Sequence, residues 1–153
     1  MVRLEQYEEK ERAHLLNLPC PVYDSTPFAA PIKVSQARIA LISTAGLHRR
    51  SDRTFAVGET GYRLIPNDIQ ANELVMSHIS TNFDRSGFQM DMNIVFPLDS
   101  LKELAQIGYI KSIAHYHYSF MGAHDPVPTE SATRDVAGLL KKDQVDAALL
   151  VPV

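Results

Sequence analysis

Five histidines and a run of arginines carry most of the chemistry this sequence can offer. His48, Arg49 and Arg50 lie in the polar stretch Thr44–Asp52, which turns at Gly46. Ser119, Gly122, His124 and Asp125 lie in a second polar stretch, Ser119–Pro128. His115 and His117 alternate, and residues two apart on a strand share a face. An imidazole can move a proton near neutral pH or ligate a metal. Two same-face histidines, with His78 or His124 as a third, would begin a metal site, yet such a site needs three or four converging ligands. Histidines satisfied within the fold are the plainer alternative. Arg49, Arg50 and Arg53 can clamp a carboxylate through bidentate hydrogen bonds, or simply be a solvated basic loop. No glycine-rich nucleotide loop and no G-x-S-x-G elbow is present.

The elements that must position these residues read as α/β. Residues 3–17 have helical spacing with one weakly apolar face, and prolines at 19, 21, 27 and 31 then impose an extended connector. Arg38–Ser43 is a strand with a continuous apolar centre, as suits burial on both faces. Tyr62–Pro66 and Leu74–Ile79 read as short strands, and 81–90 as loop. Asn93–Phe96 reads as a strand, and Pro97 opens a helix with Leu98, Leu101, Leu104, Ala105 and Ile107 on one side, closed by Gly108. Ser112–Tyr118 is the next strand. Thr129 is placed to N-cap a helix with Ala132, Val136, Leu139 and Leu140 on one face. The last strand is Val145–Val153. This alternation predicts a doubly wound, mostly parallel sheet of Rossmann-like or flavodoxin-like type, with residues 1–36 as an arm and 37–153 as the domain. In such sheets chemistry sits at the carboxyl ends of the strands. Thr44, Gly46, His48, Arg49 and Arg50 would then face Ser119, Gly122, His124 and Asp125 across that edge. The third loop at that edge would follow Val153, so the domain reads as incomplete at its C-terminus.

Composition narrows the classes. The chain has 153 residues, 45% of them hydrophobic, and a formal charge of −3. That charge gives no footprint for nucleic acid or anionic membrane. No run approaches about 18 apolar residues, and the charged N-terminus lacks a signal core, so the expectation is a cytoplasmic protein. The single Cys20 excludes an internal disulfide framework in these residues.

Several segments together bring a family into view. Ala37–His48 resembles the opening strand and loop of the glycine/sarcosine/betaine/D-proline reductase selenoprotein B family. Tyr62–Pro66, Met76–His78, Asp91–Asp99, His117–Gly122 and Val145–Val153 resemble the same family, especially its D-proline reductase-like branch. The resemblance implies a subunit of a reductase that cleaves C–N bonds of small amino acids or amines, working with other subunits. It implies a selenocysteine, or a cysteine, directly after the Val151-Pro152-Val153 strand end. A UGA codon read as stop would end a chain there, leaving it inactive alone. The chain itself supplies no cofactor, and a pyruvoyl group on a partner subunit would activate the amine. On this reading His48, His78, His117 and His124 are candidates to protonate the leaving nitrogen or to stabilise a selenolate. Thr44, Gly46, Arg49, Arg50, Ser119, Gly122 and Asp125 are candidates to bind substrate. An unfinished sheet edge also predicts a homo-oligomer. Two other readings stand beside this one: a non-catalytic binding or assembly module, and a metal-dependent enzyme using His115 and His117.

Overall fold

The computed structural model describes residues 3–19, 22, 24–26, 29–80 and 85–153. In chain order its elements are α1 (Glu9–Leu16), β1 (Arg38–Ser43), β2 (Leu47–Arg49), β3 (Tyr62–Pro66) and β4 (Leu74–Met76). There follow α2 (Ser86–Met90), α3 (Leu98–Gln106), β5 (Ser112–Ile113), β6 (Tyr116–Phe120), α4 (Glu130–Lys142) and β7 (Ala147–Val151).

β1 is the centre of a five-stranded sheet. β7 pairs with it in parallel along Ile39–Ser43. A strand has only two edges, so β5 and β6 share the other one. β5 takes Arg38 and Ile39, and β6 takes Ile42 and Ser43, both in parallel. β3 adds to the far side of β6 and is antiparallel. The sheet is therefore mixed, not uniformly parallel. β2 and β4 form a separate antiparallel pair.

Period-two alternation along β1 explains why helices cover both faces. Ile39 and Leu41 join the larger core cluster with Leu98 and Leu101 of α3. Ile42 turns the other way, with Tyr118, Phe120 and Val136 of α4. Leu41 is fully buried; truncating such a residue to alanine costs about 2–5 kcal/mol.

Several expectations are corrected. Asn93–Phe96 is not a strand. The Asp91 carboxylate accepts from the Asn93 amide at 2.9 Å, and Asn93 Oδ1 accepts from the Asp99 amide at 3.0 Å. Those bonds wind Met92–Ile94 into a 3-10 turn before α3; the apolar run reflects burial of Val95 and Phe96. The strand read as Ser112–Tyr118 is two strands, broken at Ala114 and His115. Thr129 precedes α4 without capping it by side chain. Its hydroxyl instead donates to the Pro126 carbonyl at 2.5 Å, inside a 3-10 turn over Val127–Thr129. The stretch read as loop at 44–52 contains β2, and the one at 81–90 contains α2 at its described end. α1 is shorter than the helix expected over 3–17 and buries no residue. No helix among the described residues is long and apolar enough to cross a membrane.

Candidate functional site

The carboxyl ends of β1, β6 and β7 meet at Thr44. The Thr44 amide donates to the Val151 carbonyl at 3.2 Å. Its Oγ1 accepts from the Val153 amide at 2.8 Å and donates to the Val153 carbonyl at 3.3 Å. On its other side lies Gly122. A Cβ there would sit 2.9 Å from Thr44 Cβ, so only glycine allows this approach without displacing Thr44.

Beside this junction is a cavity of about 230 Å³, lined by Thr44, Gly122, His124, Thr129 and Thr133 among apolar side chains that include Phe120, Val136 and Leu150. Among the described residues, none that lines it is charged. A larger hollow of about 660 Å³ shares Gly122, His124 and Pro126 and is walled by Asp125 and by Leu18 and Pro19 of the N-terminal arm. His124 thus borders both. Its Nδ1 lies 2.6 Å from the Asp125 carbonyl, which can only accept, so the ring carries its proton there. Nε2 is shielded from solvent and has no hydrogen-bond partner among the described residues. Asp125 Oδ1 accepts from the Val127 amide at 3.0 Å, a bond that holds the loop's turn.

The other candidates are placed elsewhere. Ser119 is buried, and its Oγ accepts from the Leu47 amide at 2.8 Å, tying β6 to β2. His48 is buried with both ring nitrogens occupied: Nδ1 by the Arg49 carbonyl at 2.8 Å and Nε2 by Ser77 Oγ at 2.7 Å. It binds β2 to the residue that follows β4. Gly46 has φ of 65° and packs so tightly that a Cβ would lie 3.0 Å from the His78 amide nitrogen. His78 is buried, and Arg85 donates to its carbonyl. Burial, then the charge of Arg85, pushes its pKa below the usual imidazole value.

Arg49 pairs with Asp52 at 2.9 Å. Burial raises the Asp52 carboxyl, but the hydrogen bonds and charge from Arg49 outweigh it, so its pKa is lowered. Arg50 Nε donates to the Asn72 carbonyl at 2.7 Å. Neither arginine lines the cavity beside Thr44.

His117 sits where the β5–β6 break leaves a gap in the ladder. The Leu41 amide, which lacks a strand carbonyl there, donates to His117 Nδ1 at 2.9 Å. The ring stacks edge-on to Phe96, with centroids 6.0 Å apart. Burial, then the charge of Lys102, pushes its pKa down to about 4. A proton on Nδ1 would also set two donors against each other.

His115 and His117 therefore do not share a face as a ligand pair. His117 is fully buried, whereas the His115 side chain is 73% exposed and 3.9 Å from Asp143. The backbone of His115 is turned out of the ladder by its own N–H, which donates to Asp143 Oδ2 at 2.6 Å. Among the described residues no group of three or more His, Cys, Asp or Glu side chains is placed to hold a metal. Cys20 and residues 81–84 lie outside the described residues.

Of the residues singled out in the sequence, the structure gathers Thr44, Gly122, His124 and Asp125. It separates them from Gly46, His48, His78, Arg49 and Arg50. Thr129, Thr133 and Val136 were missed as cavity lining. Their spacing of four and then three residues along one helix face was the available signal.

An α/β domain with a junction of strand ends and a cavity beside it fits many activities, and comparison with known proteins narrows them. The chain belongs to the family described as glycine/sarcosine/betaine reductase selenoprotein B, whose pattern matches residues 7–153. It is 33% identical over 135 residues to the D-proline reductase subunit gamma of Acetoanaerobium sticklandii, covering 86% of this chain and 53% of that protein. It is 29% identical over 150 residues to the glycine reductase complex component B subunit gamma of Symbiobacterium thermophilum, covering 92% of this chain and 34% of that protein. It is 30% identical over 142 residues to the betaine reductase complex component B subunit beta of Peptoclostridium acidaminophilum, covering 87% and 32%. The chain thus spans about half the length of the first of these relatives and a third of the others. No solved structure gave a significant match.

Proposed function

We propose that this chain forms the amine-binding part of a reductase subunit that cleaves C–N bonds of small amino acids or amines, within a complex of several subunits. The observation that carries the reading is the junction of Thr44, Gly122, His124 and Val153 at the carboxyl edge of the sheet, in a chain of this family. The relatives are named as subunits or components of reductase complexes, which supports partner subunits here.

Reductive cleavage breaks one C–N bond and places one hydrogen on carbon and one on nitrogen. Two electrons and two protons come from a dithiol, which leaves as a disulfide. A selenol or thiol at this edge would supply the nucleophile, and a carbonyl such as pyruvoyl on a partner subunit would activate the amine. The local residues fit such a group: Thr44 fixes the end of β7 beside the cavity, and among the described residues no carboxylate lines the cavity to repel a selenolate. The roles proposed for the chain's own residues are then specific. Thr44 orients the strand end, Gly122 leaves room for it, and His124 forms part of the wall of the cavity that receives the amine. His48, with both nitrogens occupied, and His117, with Nδ1 committed to the backbone, are proposed as scaffold.

Self-association belongs to the same proposal. The outer edge of β7 has no strand partner among the described residues, and Leu149 and Leu150 are 42% and 67% exposed. Light scattering at high concentration should show a species larger than one chain. A cytoplasmic location completes the reading.

The test is substrate-dependent dithiol oxidation by the assembled complex. Turnover with D-proline, glycine, sarcosine or another small amine, lost when this subunit is omitted, is the expected result. Equal turnover without the subunit would refute it.

A further inference from the structure

At the amino edge of the sheet, opposite the junction at Thr44, two hollows share His115, Lys142 and Asp143. One, of about 350 Å³, is polar and adds Arg38, Lys111 and Ser112. The other, of about 290 Å³, is mostly apolar and adds Leu64, Tyr116, Tyr118 and Leu139. We infer that this groove receives the acidic start of the N-terminal arm of a second copy of the chain, residues 4–11, with Tyr7 in its apolar half. The inference rests on the self-association proposed above and assigns it a surface away from β7.

The groove gathers positive charge because of where the strands begin. Arg38, Ser112 and Tyr116 open β1, β5 and β6, and Lys142 ends α4 ahead of β7. Arg38 and Asp143 offset each other through an ion pair at 2.6 Å. Lys111 and Lys142 have no ion pair among the described residues. His115 adds a third cation when protonated. A chain of formal charge −3 thus carries a local excess of positive charge beside an apolar hollow. Opposite charges across an interface select the partner, and like charges there repel.

The arm supplies the complement. Residues 4–11 read Leu-Glu-Gln-Tyr-Glu-Glu-Lys-Glu, four glutamates against one lysine. Arg12 pairs with Glu9, and Glu5, Glu8 and Glu11 have no ion pair among the described residues. Neither the 3-10 turn over Leu4–Gln6 nor α1 buries a residue, so this stretch gains little from its own domain. Tyr7 is its one aromatic residue, and a tyrosine buries a large ring while keeping its hydroxyl at a polar rim. Further along the arm, Leu18 and Pro19 lie against Gly122 and His124 at the carboxyl edge. The arm therefore meets its own domain at the end opposite the groove. Two copies side by side, with their sheets antiparallel, bring each arm to the other's groove, the reciprocal contact that a two-fold axis requires.

The experiment attaches a nitroxide at Gln6→Cys in unlabelled chains that also carry Cys20→Ser, and equilibrates them with nitrogen-15 labelled chains. Broadening of the Ser112 and His115 amides of the labelled chains is expected, because another chain's arm then lies beside them. It should be lost when the labelled chain carries Lys111→Glu and Lys142→Glu. It should return when the spin-labelled chain carries Glu5→Lys, Glu8→Lys and Glu11→Lys in addition. The amide spectrum of each variant shows that it is folded. No broadening at these amides in the mixture, broadening only when both labels share one chain, or broadening unchanged by the groove substitutions would overturn the inference. A species larger than one chain by light scattering, with no broadening at the groove, would remove this inference and leave self-association standing. A single chain at every concentration would remove both. Neither result depends on turnover, so the reductase reading stands or falls separately.

Discussion

Acidification from pH 7 to pH 4.5 should destabilise this protein through one buried imidazole, and the size of the loss follows from its surroundings. An ordinary histidine titrates near 6.5, whereas burial holds His117 at about 4. The unfolded chain therefore takes up a proton that the folded chain refuses. Stability from this group is complete above about pH 6.5, falls as the pH drops from there towards 4, and changes no further below that. The gap corresponds to about 3 kcal/mol in full, and to about 2.5 kcal/mol between pH 7 and 4.5. His78, also lowered by burial, adds to the loss in the same window. Asp52, Glu59 and Asp143 have lowered values too, but as carboxylates they lose their contribution at lower pH. His117→Asn isolates the effect, because its side-chain oxygen can still accept from the Leu41 amide. The assay is urea unfolding of both proteins across that range, comparing the change with pH. The variant should lose about 2.5 kcal/mol less than the parent over the window. Parallel pH profiles for the two proteins would refute the argument that the His117 ring is held neutral in the fold.

Three further substitutions probe the scaffold of the site. Gly122→Ala forces a Cβ to within 2.9 Å of Thr44 and should cost about 1–3 kcal/mol in thermal or urea unfolding, partly restored by Thr44→Gly in the same chain. Ser119→Ala leaves the buried Leu47 amide without its acceptor and should cost about 1–3 kcal/mol, read the same way. Thr44→Val removes both bonds to Val153 and should speed hydrogen exchange at the Val153 amide by tenfold or more, with the β1 amides little changed.

The parts of the fold legible in the sequence were those with long-range burial written into a local pattern. β1, with its continuous apolar centre, was one; α3 and α4, with apolar residues at helical spacing, were others. Asn93–Phe96 misled because Val95 and Phe96 are buried without being strand, and the Asp91 and Asn93 side chains wind the backbone instead. The break between β5 and β6 was not legible. It depends on Asp143, 28 positions away, capturing the His115 amide, and on His117 replacing a ladder bond to Leu41. That break is also why the His115/His117 pair dissolved. The site was half legible for a similar reason. Position after a strand placed Thr44, Gly122, His124 and Asp125 at one edge, where the structure has them, but it could not foresee that β2 turns His48, Arg49 and Arg50 away from them. The family, by contrast, was readable from segments spread through the chain, and the match over 7–153 agrees with them.

The proposed role places the amine of a C–N-cleaving reductase at the carboxyl edge of this chain's sheet. Mass spectrometry of the products formed by the assembled complex with a dithiol tests it most directly, on D-proline and on glycine. A ring-opened or deaminated product carrying two added hydrogens is expected, formed with one disulfide per molecule and lost when this subunit is omitted. Equal product formation without this subunit, or no C–N cleavage of any small amine by a complex whose subunits are all folded and present, would contradict it.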